Sequence, residues 1–373
     1  MEYKLGELVD NISETSKIKN NKVVLINTSD VENGKVLNHT YVDNKNLRGQ
    51  FKKRFKKGDI LYSEIRPKNR RFAYVDFDST NYIASTKLMI LRNKGKVNNK
   101  YLFLLLTSKK IIEYLQMIAE SRSGTFPQIT FTEVANITVN VPNIETQDKI
   151  VNIIDIIDKK IELNNQINNN LYELGDLVYK EYYLRFISDL PEGYQTKFLS
   201  EVAQNFDSKR KPISSREREL HHGKYPYYGA TSIIDHVDDY IFDGTYVLMG
   251  EDGTVKTEKG NPVLQYIWGK NWINNHAHVL KGKKISTEHL YFALRNVNIE
   301  PLITGAVQPK INQENMNKIQ FVIGTEDINN KFETIIKSIM DKSKQLIEEN
   351  KTLGQLRNVL LPKLMNGEID LDK

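Results

Sequence analysis

Two long stretches of the chain carry apolar residues at alternating spacings of three and four. The first seam contains Ile154, Ile157, Ile161, Asn164, Asn168, Leu171, Gly175, Val178 and Tyr182; the second contains Ile336, Ile339, Leu346, Leu353 and Leu360, interrupted by Ser343, Asn350 and Arg357. Such a repeat is typical of a helix that packs along one side. The pattern predicts helices over residues 144–188 and 326–362.

These two helices have two candidate arrangements. Each could pack as an amphipathic helix on its own domain, or the two could pair with each other as an antiparallel coiled coil, which we favour. The broken seams argue against a long homodimeric zipper, since polar seam residues lower stability while they fix register and partner choice. A helix of about 28 residues would be ~42 Å long. Domains at its two ends would then lie about one turn of B-DNA apart, ~34–36 Å.

The chain is also an internal repeat. Pro127-Gln128-Ile129 and Pro309-Lys310-Ile311 lie 182 positions apart, and the same offset places residues 137–141 on residues 319–323. Both of the latter segments alternate apolar and polar residues, which indicates half-buried strands. The register continues into the helices, where Ile154 pairs with Ile336. One register that holds through a strand and a helix indicates duplication.

Upstream of these segments the two copies are similar only at their ends. Lys4-Leu5-Gly6-Glu7-Leu8-Val9 resembles Lys197-Phe198-Leu199-Ser200-Glu201-Val202, whereas the middles share almost nothing. We therefore predict an α+β protein with two similar mixed α/β domains, residues 1–143 and 192–325. The antiparallel helices at 144–188 and 326–362 would separate them, and residues 363–373 form a tail.

Composition narrows the class of protein. Hydrophobic residues make up 39% and charged residues 27%, as in ordinary globular domains. No apolar run is long enough to span a membrane, and the first residues lack the layout of a signal peptide. Cysteine is absent, which excludes disulfides and thiolate metal sites and favours a cytoplasmic protein. The net charge of +6 raises the expectation of a polyanionic partner only modestly.

Basic residues cluster in both halves. Those that we predict to contact phosphates are Lys52, Lys53, Arg54, Arg66, Arg70 and Arg71 in the first half and Lys209, Arg210 and Lys211 in the second. The alternative is that these runs are solvated loop faces. As candidate base-reading residues we select Tyr227 and Tyr228, from the aromatic stretch that follows the second cluster, and Asn274 and Asn275, since asparagine is among the usual readers of base edges.

The chain lacks the usual signatures of catalysis. His276 and His278 would share a face of a strand, but no third ligand stands at a recognised spacing, so no metal site is predicted. Carboxylates beside glycines, as in Gly250-Glu251-Asp252-Gly253, are more typical of turns. There is no Walker loop, no Gly-x-Ser-x-Gly elbow and no Asn-Pro-Pro-aromatic tetrapeptide. These absences favour a binding protein without catalytic residues.

With these features together, the chain resembles the specificity subunits of type I restriction-modification enzymes. The resemblance covers almost the whole length and rests on the order of variable half, helix, variable half and helix. Its local signatures are Lys57-Gly58-Asp59-Ile60-Leu61, Pro226-Tyr227-Tyr228-Gly229-Ala230-Thr231, Gly244-Thr245-Tyr246-Val247-Leu248-Met249-Gly250, the segments Gly124-Thr125-Phe126-Pro127-Gln128-Ile129 and Gly305-Ala306-Val307-Gln308-Pro309-Lys310-Ile311, and the ending Leu360-Leu361-Pro362-Lys363-Leu364-Met365-Asn366-Gly367-Glu368-Ile369. The second pre-helix segment is one residue longer than the first, so their roles need not be identical.

The resemblance implies a function and a set of partners. Each domain would read one half of a bipartite site in duplex DNA, and the helices would dock two methyltransferase subunits. Those subunits would bind S-adenosylmethionine and methylate adenine, and motor-nuclease subunits would cleave unmethylated DNA in a bacterial restriction system. This chain would itself hold no cofactor, metal or catalytic residue. The seam residues expected to serve the helix pair and its partners are Ile154, Ile157, Ile161, Leu171, Val178, Ile336, Ile339, Leu346, Leu353 and Leu360.

Two other classes of function stay open at this point. A self-contained DNA-acting enzyme, such as a nuclease, would turn over DNA without any partner. A coiled-coil scaffold whose basic loops serve only solubility would show almost no salt-dependent affinity for DNA.

Overall fold

The computed structural model of the chain describes residues 1–15, 18–122, 124–305 and 307–371. It forms two compact units, Met1–Ile161 with Thr352–Lys373, and Glu162–Lys351. Ala306 of the second pre-helix segment and the last two residues of the predicted tail lie outside the described residues. Each of the two long helices contributes one part to each unit. The domain boundaries given above stay a prediction.

The first unit is a mixed α/β structure. Its strands among the described residues are β1 (Glu2–Lys4), β2 (Val9–Asn11), β3 (Lys22–Ile26), β4 (Val31–Glu32), β5 (Lys35–Val36), β6 (Tyr41–Asp43), β7 (Phe51–Lys53), β8 (Ile60–Ser63), β9 (Phe72–Tyr74), β10 (Tyr82–Ser85), β11 (Leu88–Asn93) and β12 (Thr138–Asn140). Its helices are α1 (Asn99–Leu106), α2 (Lys109–Arg122) and α3 (Phe131–Ala135), followed by the start of α4 (Ile144–Tyr182). Short 3-10 turns cover Leu5–Glu7, Thr28–Asp30 and Pro67–Asn69.

The strands of the first unit form two four-stranded sheets, in the orders β6-β3-β10-β7 and β2-β11-β8-β9. In the second of these, alternate residues enter two different cores. Ile60 and Tyr62 pack towards the helices, whereas Leu61 packs towards the other sheet. All four residues of β8 are buried, as expected of a strand that is covered on both faces of its sheet. This sheet is therefore the middle layer of the unit.

The second unit is built from the later part of the chain. Its strands among the described residues are β13 (Gln195–Phe198), β14 (Ala203–Asn205), β15 (His222–Tyr228), β16 (Ile233–Val237), β17 (Phe242–Asp243), β18 (Tyr246–Gly250), β19 (Leu264–Ile267), β20 (Lys270–Ile273), β21 (Ala277–Gly282) and β22 (Gln320–Ile323). Its shorter helices are α5 (Leu199–Val202), α6 (Ser215–Leu220), α7 (Thr287–Arg295) and α8 (Gln313–Asn317), and the last helix of the chain is α9 (Glu326–Met365). The 3-10 turns are Leu184–Phe186, Asp207–Lys209 and Glu300–Leu302.

The topology of the second unit repeats that of the first. Its sheets run β16-β15-β20-β17 and β14-β21-β18-β19, and in each unit one sheet contains a parallel pair, β3 with β10 and β15 with β20. Val247 and Met249 enter one core and Leu248 the other. Helices α3 and α8 begin 182 positions apart, as do α4 and α9. The duplication and the α+β fold predicted from the sequence are confirmed.

One element of the first unit has no counterpart among the described residues of the second. After α1 the chain forms the 14-residue helix α2. After the equivalent α7, the second unit continues into the 3-10 turn at Glu300–Leu302. Helix α2 buries Ile111, Ile112 and Leu115 in the core that lies beside the middle sheet. The same helix packs next to the 3-10 turn at Pro67–Asn69.

The long helices differ from their predicted bounds at their ends. Helix α4 stops at Tyr182, because Tyr183 leaves helical geometry (φ −132, ψ −48) before the 3-10 turn at Leu184–Phe186. Helix α9 continues through Pro362 to Met365. Proline has no backbone N–H, so the hydrogen bond from position 362 to the carbonyl of Asn358 is absent in the last turn of α9.

The seams of the long helices face both their own domain and each other within each unit. In the first unit Ile154 is buried in the core, Ile157 is buried, Leu360 packs against the core, and Arg357 bonds Asp158 at 2.7 Å. Ile161 and Leu353 are half-buried.

In the second unit the seam shows the direction of the helices. Asn164 donates to Asn350 at 2.9 Å, and Ser343 donates to Tyr172 at 3.2 Å. The partner residue numbers decrease along α9 as they increase along α4, so the two helical segments run antiparallel. Among the predicted apolar seam residues of this unit, Ile336 and Ile339 belong to the core and Leu171 and Val178 pack against it. Leu346 is also buried. Coiled-coil packing as such stays a prediction.

The core of the second unit contains a buried histidine that makes its stability depend on pH. His289 lies 3.2 Å from Glu333 and packs against the rings of Tyr183 and Phe332. Burial lowers the pKa of His289, and the charge of Glu333 offsets this only in part. The unfolded chain therefore binds this proton at a higher pH than the folded unit. The stability that depends on a neutral His289 is therefore fully present above the ordinary pKa range of histidine, and it is lost as the pH drops through that range.

We expect the second unit to melt at a lower temperature at about pH 5.5 than at about pH 7.5. Both tryptophans, Trp268 and Trp272, lie in this unit, so their fluorescence follows its melting. Replacing His289 by asparagine should flatten the pH dependence. The matched control is His236→Gln, because His236 is exposed. An equal flattening by the control would contradict the assignment to His289.

Candidate nucleic-acid interface

The basic run of the first unit is partly engaged in structure. Lys53 donates to the carbonyl of Leu88 at 2.8 Å, and burial lowers its pKa. Arg54 donates to the carbonyl of Thr80. Lys52, which precedes Lys53 on strand β7, is exposed. Of the three residues predicted for phosphate contact, Lys52 is the one that the structure leaves at the surface.

The second basic group of the first unit lies on the turn after β8. Arg66 and Arg70 flank the 3-10 turn Pro67–Asn69 and are both exposed. Arg70 donates through Nε to Asn33 at 2.8 Å, and Arg66 donates through Nη2 to the carbonyl of Thr125 at 3.2 Å. Each guanidinium uses part of its five donors in these bonds. The structure thus brings these two predicted residues together.

Arg71, the last basic residue of this group, turns the other way. It donates to the carbonyl of Ser29 at 3.2 Å and lies 3.6 Å from Glu32. Its side chain is one-third exposed. Its charge is therefore balanced inside the unit.

The basic residues of the second unit have different surroundings from one another. Lys209 and Lys211 are exposed, and Lys209 lies 5.2 Å above the ring of Phe206. Arg210 between them is only 13% exposed. It donates to Glu251 at 2.6 Å and to the carbonyl of Ala277 at 2.8 Å. Arg210 is therefore a member of an internal ion-pair network.

That network joins two carboxylates to three basic groups. Asp207 lies 2.6 Å from Nδ1 of His278, and Lys310 lies 3.2 Å from Glu251. Burial opposes the ionisation of both acids, but bonds from His278 and Arg210 bring the pKa of Asp207 and of Glu251 below the usual values. The other ring nitrogen of His278 faces the carbonyl of Ile311 at 2.9 Å.

Asp207, Glu251 and His278 lie close enough to hold a metal ion. Their ligand atoms are already engaged by Arg210, Lys310, the amide of Val279 and the carbonyl of Ile311. Two positive side chains beside the acids supply the charge that a cation would bring. This cluster is accordingly built to fix the strands around it.

The predicted base-reading residues are mostly enclosed. Tyr227 is 1% exposed, and its hydroxyl accepts from the amide of Ile213 at 3.1 Å. Asn274 is buried and accepts from the amide of His276. Tyr228 is half-buried against the core between the sheets. Asn275 is exposed. Contact with a base edge needs a side chain at the surface, so Asn275 has the most suitable position of the four.

The second unit has at its surface an aromatic and basic group that the sequence did not predict. The rings of Tyr225 and Tyr240 lie 5.2 Å apart, Lys224 lies 5.2 Å from the first ring and Lys270 lies 4.4 Å from the second. We call these four residues the tyrosine–lysine cluster. Lys224 and Tyr225 lie on β15, Lys270 lies on β20, and Tyr240 lies in the connection between β16 and β17. Alternation along β15 could have indicated Tyr225, but no local spacing connects it to Tyr240.

The segments ahead of α3 and α8 make the same bonds in both units. The carbonyl of Pro127 accepts from the amide of Arg66, and that of Pro309 from the amide of Gly253. Likewise Ile129 donates to the carbonyl of Glu64, and Ile311, at the equivalent place, to that of Glu251. The repeat predicted from the sequence thus has a counterpart in individual hydrogen bonds. It also makes the turns that follow β8 and β18 structurally equivalent.

One sequence motif of the first half has a structural role. Asp59, in Lys57-Gly58-Asp59-Ile60-Leu61, is 1% exposed and holds Arg92 with two bonds of 2.8 and 2.7 Å. It also accepts from the amide of Lys56, while Gly58 has a φ of +91. The motif therefore makes a tight turn into β8, the strand that positions the Arg66–Arg70 turn.

Comparison with known proteins gives a consistent picture. The family model for the type I restriction modification DNA specificity domain matches residues 1–173 and again residues 191–355. The HindI specificity subunit of a type I restriction enzyme from Haemophilus influenzae is 30% identical, over 99% of this chain and 99% of its own length. The MjaIX specificity subunit from Methanocaldococcus jannaschii is 22% identical, over 86% of this chain and 79% of its own.

Solved structures support the same fold. The S subunit of a type I restriction-modification system from M. genitalium matches with a TM-score of 0.53 and 17% identity, over 98% of this chain and 95% of its own. A chain from a structure of type I complex assembly and conformational transition matches with a TM-score of 0.50 and 16% identity, covering 99% and 98%. Within the described residues, no helix has the length and apolarity that a bilayer crossing needs.

The family model recurs in both halves, and the repeat of topology and of individual hydrogen bonds coincides with it. The chain belongs to the family of type I restriction-modification DNA specificity proteins.

Proposed function

We propose that this chain is the non-catalytic specificity subunit of a type I restriction-modification complex and that each unit reads one half of a bipartite DNA site. The observation that carries the proposal is one frame used twice with different surface chemistry. The equivalent turns after β8 and β18 are held by the same bonds. The first turn is basic, with Arg66 and Arg70, and the second contains Glu251 and Asp252.

The exposed cations define the proposed contacts with the DNA backbone. In the first unit these are Lys52, Arg66 and Arg70, and in the second Lys209, Lys211 and the tyrosine–lysine cluster. Lys53, Arg54 and Arg210 are left out because they are less exposed than these cations and are bonded to carbonyls or carboxylates of the chain. Phosphate contacts of this kind set position and affinity, and side chains at base edges add the choice of sequence.

Exposed apolar residues on the long helices support docking of methyltransferase subunits. In the first unit these are Ile156 on α4 and Val359 on α9, both more than half exposed. In the second unit Leu163 and Leu177 on α4 are equally exposed. Large apolar side chains that stay exposed on these helices are the candidate contacts for a partner. We propose that each helical surface receives one methyltransferase subunit, so that two bind in all.

The proposed division of labour assigns chemistry to the partners. The methyltransferase subunits would bind S-adenosylmethionine and transfer its methyl group to adenine. Motor-nuclease subunits, where present, would cleave unmethylated DNA. This chain contributes DNA selection and the docking surfaces.

The experiment is co-expression with the modification subunit of the same system, followed by mapping of methyladenine across the host genome. We expect one bipartite motif with an unread spacer. The purified chain alone should neither methylate nor cleave DNA; turnover without a partner would show a self-contained enzyme instead. Binding to duplex DNA should fall with salt, with a slope of about −0.9 per phosphate contacted. A flat salt response would favour the scaffold alternative.

A further inference from the structure

We infer that the turn Arg66–Arg70, here called the arginine turn, is the base-reading element of the first unit. Lys68 and Asn69 would meet base edges in a groove of duplex DNA, and Arg66 and Arg70 would lie against the flanking phosphates. The inference rests on the proposed function and names the residues that carry it in one unit.

The backbone of the arginine turn adopts a conformation that side chains disfavour. Arg66 has a φ of 44 and Arg70 a φ of 53, both in the left-handed region. The position equivalent to Arg66 in the second unit is Gly253, with a φ of 73. Glycine takes this conformation without steric cost, whereas in a residue with a side chain the Cβ clashes with the backbone. The first unit thus retains an arginine where the fold favours glycine, and such strain is concentrated at functional sites.

Contacts with buried residues and with helix α2 fix the arginine turn, and the second unit lacks such contacts among its described residues. Pro67 is buried, and the amide of Lys68 donates to Gln116 on α2 at 3.0 Å. Gln116 is itself buried and donates to Glu120 at 2.7 Å. Helix α2 is the element without a counterpart in the second unit. It therefore fixes the backbone of the turn, which lowers the entropy cost of binding.

The side chains at the tip are directed away from the unit. Lys68 and Asn69 are exposed, and neither side chain forms a hydrogen bond or ion pair within the described residues. Lysine donates to guanine O6 and N7, and asparagine pairs with adenine N6 and N7 in the major groove, which is about 12 Å wide. A short turn with two such side chains and an arginine on each side suits that groove in size and charge.

The equivalent turn of the second unit has different chemistry, because Asp252 and Gly253 stand where the first unit has Ile65 and Arg66. Glu251 is held by Arg210 and Lys310, and Asp252 lies 2.8 Å from His276. Over residues 251–256, all of which the structure describes, the one cation is Lys256, and it is paired with Glu300. The two units therefore present different chemistry at the same place in the fold, as two unequal half-sites require.

The test uses the complex of the chain with its modification subunit and a library of duplexes, from which bound sequences are selected and read. For Asn69→Ala we expect relaxed choice at one base of one half-site, by roughly 5- to 150-fold. The other half-site should be unchanged. Lys110→Ala is the control, because Lys110 is exposed on α2 of the same unit and has the same charge as Lys68. Its selected motif should equal that of the wild type.

Two outcomes would overturn the inference. An unchanged motif for both Asn69→Ala and Lys68→Ala would show that the turn reads nothing. A uniform loss of affinity for all sequences, with a salt slope smaller by about 1, would show phosphate contact only. If the wild-type complex selected no sequence motif from the library, that result would instead contradict the proposed function.

A second variant keeps the test independent of folding. Arg66→Gly introduces the residue that the second unit has at this place, so circular dichroism should show melting no lower than that of the wild type. We expect its affinity for DNA to fall and its salt slope to become smaller by about 1. Unchanged affinity in this variant would remove Arg66 from the contact, and with it the geometry proposed for the turn.

Discussion

Replacing Gly175 by alanine is expected to destabilise the second unit by about 2 kcal/mol, although alanine is the better helix former. Gly175 is in the interior of α4, where an added Cβ would lie 2.2 Å from two ring carbons of Phe292. Phe292 is fully buried on α7, so its ring has little room to move. Inserting a methyl group into a packed core costs roughly 1–3 kcal/mol and occasionally more. At this distance the clash outweighs the gain of about 1 kcal/mol in helix propensity.

The chain contains a matched control in its other long helix. A Cβ at Gly354 on α9 would meet no atom within 4 Å, so Gly354→Ala should be neutral or stabilise the protein by up to about 1 kcal/mol. Tryptophan fluorescence should show the second unit of Gly175→Ala melting some 4–8 °C lower. For Gly354→Ala, which lies in the first unit, the fluorescence transition should stay in place. Equal shifts in both variants would contradict close packing of α4 on α7.

The parts of the fold that the sequence predicted are those that depend on local periodicity. The seams of α4 and α9 follow from helical spacing, and α3 and α8 begin at the predicted offset of 182. Both properties are visible along the chain because the residues concerned are near neighbours. Gly175 shows the limit of such reasoning. Its place in the seam was clear, but the reason for a glycine there is Phe292, more than a hundred positions away.

The candidate site was harder to predict because the same residue types serve surface and interior. Lys209, Arg210 and Lys211 are alike as a basic run, yet only the middle one points into the unit. Its partner Glu251 is brought there by β18, through strand pairing that the run itself does not encode. Tyr225 and Tyr227 show the same effect, since one forms the surface cluster and the other is enclosed.

The largest loss of stability is expected from Arg210→Met. Arg210 is bonded to Glu251 and to the carbonyls of Asn275 and Ala277, and it lies 3.5 Å from Asp207. Methionine retains most of the apolar stem but removes the charge and the donors. Glu251 keeps Lys310 and Asp207 keeps His278, yet two nearly buried carboxylates lose their shared cation. Breaking a buried ion pair by removing one partner costs about 3–5 kcal/mol.

The neighbouring Lys209→Ala separates a structural role from a phosphate contact. Lys209 is exposed and lies 5.2 Å above the ring of Phe206, so its loss should cost less than about 1 kcal/mol. We expect tryptophan fluorescence to show Arg210→Met melting roughly 6–20 °C lower and Lys209→Ala close to the wild type. In DNA binding below the melting transition the order should reverse. Lys209→Ala should reduce the salt slope by about 0.9, whereas Arg210→Met should leave it unchanged. If Arg210→Met melted like the wild type and reduced the salt slope instead, Arg210 would be the phosphate contact that the basic run predicts, and the internal network would have no stabilising role.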